Sequence, residues 1–127
     1  MTKPLNRATV LSLASFLTFT GLTHFVVPGE FDQLVPPWLP GSERFYVLIT
    51  GLGELLIGLG LFKQSIRHYC AWAAVIIFLV VYPGNIYMAY DWRDREFSQQ
   101  LIAYLRLPFQ IPLILWALNI ARKTSRE

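Results

Sequence analysis

The chain has 127 residues, of which 54% are hydrophobic and 15% charged, and its mean hydropathy is +0.43. Few soluble folds of this size can bury so large an apolar share, and ordinary soluble domains carry about 25% charged residues. The net charge of +3 does not indicate nucleic-acid binding, because the basic residues lie at the ends of apolar segments. The composition therefore predicts one integral membrane domain over residues 1–127.

The first apolar stretch covers about residues 8–27, close to the ~20 residues that a helix needs to cross a bilayer. Gly21 and His24 share one stripe of this helix. In the connection that follows, apolar residues recur at the i, i+3, i+4 and i+7 positions: Phe31, Leu34, Val35 and Trp38. That spacing predicts a short helix lying in the membrane interface, ended by the following Pro-Pro pair.

The second apolar stretch, about residues 45–62, contains a carboxylate within "GLGELLIGLG". Glu54 lies about 15 Å inside the bilayer, near its midplane. A charge at that depth costs a few kcal/mol unless it is paired, neutral or hydrated, so we expect Glu54 to face other helices. Gly51 and Gly58 lie on the same helical face, and together with Gly21 they are predicted to let helices pack closely.

The third and fourth stretches cover about residues 69–90 and 104–121 and contain internal prolines. A helix stopped before Pro83 would be too short to cross, so we expect it to bend there and resume. Pro108 and Pro112 should bend the fourth helix. Each proline frees a backbone carbonyl four residues earlier, which needs a partner inside the protein.

The connection between these last two stretches begins "DWRDREFSQQ" and has an interfacial composition, with Trp92 and Phe97 among charged residues. Trp92 and Trp38 are interpreted as members of an aromatic belt. The predicted fold class is therefore all-α, a four-transmembrane-helix bundle with short interfacial segments on the outer side.

Polar residues of the four spans are predicted to meet in one interior region of the outer half of the bundle. They are Glu54, Arg106, His24, Asn85 and Gln110. We expect Arg106 to pair with Glu54, directly or through one bridging group. Two interpretations remain open. One is a structural network in which the neutral polar residues satisfy proline-freed carbonyls; the other is a ligand or proton site open to a quinone or a lipid head group.

Resident metals and haem are not predicted. His24 and His68 lie at opposite ends of a ~30 Å bilayer core, so they cannot ligate one haem together. No set of His, Cys or carboxylate residues has the spacing of metal ligands. Cys70 is the single cysteine and cannot form an internal disulfide or a redox pair. No cofactor is therefore expected, with a quinone kept as the alternative.

The distribution of basic residues predicts the orientation. Seven of the eleven lie in the N-terminal segment, the second connection and the C-terminal tail, which an even number of spans places on one side. Positive residues concentrate on the cytoplasmic side of membrane proteins. We therefore expect a multi-pass protein of the bacterial cytoplasmic membrane with both termini in the cytoplasm.

Four segments, "GLTHFVVPGEFDQLVPPWLP", "GLGELLIGLGL", "YPGNIYMA" and "LRLPFQIPLILWA", occur in this order over about residues 21–117. They resemble the DoxX-like family of small four-helix membrane proteins, most specifically in the G-x-x-H-F-x-x-P segment with its Pro-Pro pair. The matching polar positions are the five residues already selected. The family is named for a subunit of a thiosulfate:quinone oxidoreductase, and distant vertebrate relatives help assemble receptor channels.

The small size, with no soluble domain and no complete catalytic set, favours an accessory or assembly subunit of a membrane complex, which we expect not to be an enzyme on its own. Its expected partners are the lipid bilayer and another membrane protein, with no nucleic acid, and a homo-oligomer remains open. The alternative is a quinone-linked redox subunit or small-molecule binder using the outer polar cluster. A transporter ranks below both, because four short spans without an internal repeat leave little to alternate between.

Overall fold

A computed structural model describes residues 6–32 and 35–124, and every regular element in that part of the chain is helical. The helices are α1 (Arg7–Val26), α2 (Gly29–Asp32), α3 (Glu43–Leu61), α4 (Arg67–Asp91) and α5 (Phe97–Thr124). All but α2 are long and apolar enough to cross a membrane. The predicted all-α fold with four spans is confirmed.

The starts of the first two spans follow from local capping. Asn6 accepts a hydrogen bond from the amide of Ala8 at 2.8 Å, and Ser42 accepts one from the amide of Phe45 at 3.2 Å. The Asn6 side chain thereby satisfies an amide at the start of its helix, and the amide of Phe45 is shared between the side chain and the carbonyl of Ser42.

The two later spans run through their prolines without interruption. The α4 helix continues past Pro83, and α5 continues past Pro108 and Pro112. The start of α5 differs from the expectation, because the helix begins at Phe97 rather than near residue 104. The carbonyl of Glu96 accepts hydrogen bonds from the amides of Gln99 and Gln100, both at 3.0 Å. The polar segment after Glu96 is therefore helical rather than a loop.

The first connection also differs from the expectation. Its helix, α2, has four residues, and Val35 and Trp38 lie outside it. Leu34, another member of the expected apolar stripe, lies outside the described residues. The physical reason lies in the two prolines after Val35, because a residue before proline is disfavoured in helical conformation. One interfacial helix through Trp38 was therefore a wrong prediction.

Consecutive long helices pack antiparallel in a ring. The α1 helix packs along α3, α3 packs against α4, α4 packs along α5, and a smaller contact joins α1 to α5. Trp116 Nε1 donates to the carbonyl of Thr9 at 3.0 Å and closes the ring. We call the end with the α1–α3 and α4–α5 connections the α2 end, and the opposite end, where α1 begins and α5 ends, the terminal end.

The core shared by all four helices lies in the terminal half of the bundle. It is formed by Val10, Leu13, Ala14, Leu17, Leu61, Ala71, Ala74, Val75, Phe78, Leu113, Ala117, Ile120 and Ala121. Towards the α2 end the buried residues separate into two sets, one between α1 and α3 and one between α4 and α5. The bundle thus divides there into two hairpins.

A loop contact joins the two hairpins at the α2 end. The Trp38 ring meets Tyr87 of α4 edge to face, with centroids 5.5 Å apart and planes at 88°. Trp38 stays 70% exposed, whereas Trp92 is only 9% exposed and packs in the α4–α5 hairpin. Membership of Trp92 in an aromatic belt stays a prediction, and its ring is enclosed by the α4–α5 hairpin.

Candidate functional site

The α1–α3 hairpin is held by backbone contact at glycines. A Cβ on Gly21 would lie 2.6 Å from the amide nitrogen of Leu55, and one on Gly58 would lie 2.6 Å from the amide nitrogen of Thr18. A Cβ on Gly51 would collide with the Cβ of His24 and lie 2.9 Å from its Cγ. All three glycines selected from the sequence lie at this interface, where the absence of a side chain lets the two helices touch.

That close approach places a histidine beside the intramembrane carboxylate. His24 Nε2 lies 3.3 Å from Glu54 Oε2, and both side chains are almost fully enclosed, at 11% and 13% exposed. Thr20 Oγ1 donates to Glu54 Oε1 at 3.0 Å, so both carboxyl oxygens have partners. We call Thr20, His24 and Glu54 the acid–histidine group.

His24 also bonds within its own helix. Nδ1 lies 2.8 Å from the carbonyl oxygen of Thr20, which can only accept, so Nδ1 carries the hydrogen. Each ring nitrogen thus has a partner, the Thr20 carbonyl at Nδ1 and Glu54 at Nε2. Polar partners of this kind explain how a carboxyl group is tolerated at membrane depth.

The α2 helix covers the group from the α2 end. The Phe31 ring stacks on the imidazole of His24, with centroids 4.0 Å apart and planes at 16°. The helix is tied to the start of α3 by Arg44, whose Nη2 donates to Asp32 Oδ2 at 2.8 Å. That hydrogen bond lowers the pKa of the Asp32 carboxyl.

A second set of polar residues lies between α4 and α5. Gln110 is buried and its Nε2 donates to the carbonyl of Phe78 at 2.9 Å. Asn85 Nδ2 donates to Gln110 Oε1 at 3.5 Å, the long limit for such a bond. Tyr82 Oη donates to the carbonyl of Leu107 at 3.2 Å. These residues cross-link the two helices through backbone carbonyls.

Arg106 lies further towards the α2 end of the same hairpin, where its Nη1 contacts Met88 Sδ at 3.2 Å. Among the described residues, no ion pair joins Arg106 to Glu54, so direct pairing of the two was a wrong prediction. The reason is the order of helices in the ring: α3 packs between α1 and α4, whereas α5 packs on α4. His24 supplies the partner that Arg106 was expected to supply.

The five residues predicted as one cluster therefore form two sets. His24 and Glu54 lie in the α1–α3 hairpin, and Asn85, Arg106 and Gln110 in the α4–α5 hairpin. The carbonyl-capping expectation also needs correction. Pro83 frees the carbonyl four residues earlier, at position 79, but Gln110 bonds the carbonyl at position 78, and His24 bonds one within its own helix.

Sequence reasoning missed Thr20 and Phe31. Thr20 carries a signal that could have found it, because it lies four residues before His24 and therefore one turn away on the same face. Phe31 carries no such signal, since its contact depends on where the chain turns after α1. At the terminal end, His68 Nδ1 lies 3.1 Å from the carbonyl of Ala121. In the described ranges, no three His, Cys, Asp or Glu residues are placed to hold a metal ion.

Four long apolar helices that enclose polar groups are the architecture of a small multi-pass membrane protein. Residues 13–121 match the family described as "Domain of unknown function (DUF8561)", and the chain belongs to that family. The matched range includes both polar sets. No curated protein and no solved structure matches the chain.

Proposed function

We propose that the chain is an accessory or assembly subunit of a complex in the bacterial cytoplasmic membrane. Both termini lie in the cytoplasm and the α2 end faces outward, as the distribution of basic residues favours. The α2 end binds another membrane protein. The resemblance to DoxX-like proteins remains a prediction and agrees with this role.

The observation that carries the proposal is an exposed aromatic surface at the α2 end, formed by both hairpins. Trp38 is 70% exposed, Tyr90 63% and Phe97 77%. Trp38 belongs to a loop, and its edge-to-face contact with Tyr87 holds it in place. Aromatic side chains are enriched among the anchor residues of protein interfaces.

The acid–histidine group supports the same role. Its carboxyl oxygens and ring nitrogens all have partners within the chain, and Phe31 covers the ring. Groups satisfied in this way hold a structure rather than await a ligand. The group therefore fixes α1, α2 and α3 relative to one another beneath the aromatic surface.

Site-specific photocrosslinking in intact cells tests the proposal. A photoreactive amino acid is placed at Trp38 or Phe97. The controls are Leu59 and Leu115, which are also exposed, at 51% and 57%, but lie in the terminal half of spanning helices. We expect the α2-end positions to crosslink to one membrane protein and the controls to lipid alone. Crosslinking of that protein equally from all four positions would contradict a docking surface at the α2 end.

A functional arm of the same test uses Trp38→Ala. We expect the abundance or activity of the crosslinked protein to fall while the abundance of this chain is unchanged, because Trp38 contributes little to its own core. Loss of this chain to the same extent would show that the effect comes from folding.

The second candidate is a quinone-linked subunit or binder of a small polar molecule. The observation that favours it is the long hydrogen bond between Asn85 and Gln110, which a ligand carbonyl could replace. Quinone extraction from the protein purified in mild detergent distinguishes the two candidates. Stoichiometric quinone that is lost from Asn85→Leu would replace the accessory role with a quinone-binding one.

A further inference from the structure

Two hydrogen-bond donors in the α4–α5 hairpin lack an oxygen acceptor within the described part of the chain. The indole Nε1 of Trp92 is buried without a hydrogen-bond partner. The guanidinium of Arg106, with five N–H donors, bonds to the thioether sulfur of Met88, which is a weak acceptor. Buried polar groups are nearly always paired, so each exception needs an explanation.

The two donors adjoin the same helix contact. Met88, Trp92 and Ala103 belong to one buried cluster. Trp92 is the residue after the end of α4, one turn beyond Met88, and Arg106 Nη1 lies 3.2 Å from Met88 Sδ. Met88 is therefore a shared neighbour of the two donors.

The depth of the cluster matches the head-group layer of a bilayer. The α4 helix has 25 residues and is about 37 Å long, more than the ~30 Å hydrocarbon core. Its ends thus reach the polar layers. Met88 lies three residues before the last residue of α4, so Arg106 meets α4 only about 4.5 Å from that end.

We infer that Arg106 and Trp92 form a binding site for the phosphodiester group of a phospholipid on the α2 side of the membrane. A guanidinium donates two parallel hydrogen bonds to a phosphate, and the indole N–H supplies a third. Arg95, an exposed residue, has its guanidinium carbon 4.2 Å from the centroid of the Trp92 ring.

The charges around the cluster favour recognition of the phosphodiester group over recognition of a lipid by the net negative charge of its head group. The stretch from the last residue of α4 through residue 96 carries three acidic and two basic residues. Its weak negative field opposes a highly charged ligand, whereas the bidentate geometry of a guanidinium needs one phosphodiester. This inference is independent of the proposed accessory role, because a lipid site and a protein-docking surface can each exist without the other.

Native mass spectrometry of the full chain in dodecyl maltoside, a detergent without phosphate, tests the inference. The probe is phosphatidylethanolamine, which carries the phosphodiester without a net charge, with diacylglycerol of the same acyl chains as the phosphate-free match. We expect saturable binding of one phosphatidylethanolamine and none of diacylglycerol. Arg106→Gln should weaken binding by at least tenfold and Trp92→Phe, which keeps the ring and removes the N–H, several-fold.

Arg93→Gln is the matched control, because Arg93 lies in the same connection but stacks on Tyr90, and we expect unchanged binding. Equal binding by the native chain, Arg106→Gln and Trp92→Phe would overturn the site. Displacement of the lipid by an equal concentration of inorganic phosphate would overturn the lipid assignment and identify a site for a soluble anion. Circular dichroism and elution volume show whether Arg106→Gln folds. If it does not, lipid binding is compared in Trp92→Phe and Arg106→Lys, because lysine keeps the charge of arginine but loses its bidentate geometry. Binding equal to that of the native chain in both variants would then overturn the site.

Discussion

Adding one methyl group at Gly51 should open the contact that seats His24 beside Glu54. A Cβ there would collide with the Cβ of His24 and lie 2.9 Å from its Cγ. These atoms belong to the stem of a ring that is fixed by two hydrogen bonds and a stacked neighbour, so they cannot move aside cheaply. Gly51→Ala therefore forces α1 away from α3.

The expected loss of stability is about 2 kcal/mol. Overpacking of a tight contact costs roughly 1–3 kcal/mol, and the rigidity of His24 argues for the upper part of that range. Alanine offsets about 1 kcal/mol of this by its better helix propensity. Gly53→Ala is the matched control on the same helix, because its Cβ would meet only the terminal Cδ1 of Ile77, at 3.3 Å, and that methyl group can rotate away.

Reversible unfolding in mixed detergent micelles, followed by tryptophan fluorescence, measures both variants. We expect Gly51→Ala to lose stability while Gly53→Ala changes by less than about 0.5 kcal/mol or gains, since propensity and contact nearly cancel there. The combination of Gly51→Ala with His24→Gly should cost less than the sum of the two, because the Cβ with which the new methyl group collides is then absent. Equal stability of the two glycine variants would refute the reasoning.

The same unfolding assay checks the acid–histidine group: Glu54→Ala and His24→Ala should each cost about 3 kcal/mol, because each strands a buried polar partner, and the double variant should cost less than the sum. Strictly additive losses would mean that the two side chains do not interact. Gln110→Leu should cost about 1–2 kcal/mol, because its buried amide donates to a carbonyl of α4, and an unchanged unfolding midpoint would contradict that bond. For Asp32, the lowered pKa means that its contact with Arg44 stabilises the protein above the unfolded carboxyl pKa, and that this contribution disappears as pH falls through the folded value. An NMR titration should show the Asp32 pKa rising in Arg44→Gln, and an unmoved pKa would remove the hydrogen bond as its cause.

Much of the fold was predictable from local sequence. The spans were found because a helix that crosses a bilayer needs about 20 apolar residues whatever its neighbours are. Continuation of α4 past Pro83 was predictable for the same reason, since a shorter helix would not cross. The starting residue of α5 was not predictable. A polar segment next to a membrane can form helix or remain a loop at similar free energy, and here its backbone hydrogen bonds to the carbonyl of Glu96 favour helix.

The sequence predicted which residues belong to the candidate site, but not which of them contact one another. Burial of Glu54 among helices followed from the cost of a charge in the bilayer, and the role of Gly51 followed from its place on the same face. The identity of the residue that pairs with Glu54 could not be predicted in this way. Helical periodicity shows which face of a helix is polar, but it does not show which neighbouring helix that face meets.

The sequence by itself thus determined the number of spans, the helices that carry ionisable groups and the small residues at their contacts. These properties depend on one helix in a bilayer at a time. The tertiary structure alone decided that α3 lies against α1, so that Glu54 meets His24 and Arg106 is left with Met88. The order of helices in a ring is a property of all of them together, since it is set by which faces exclude lipid from one another most completely.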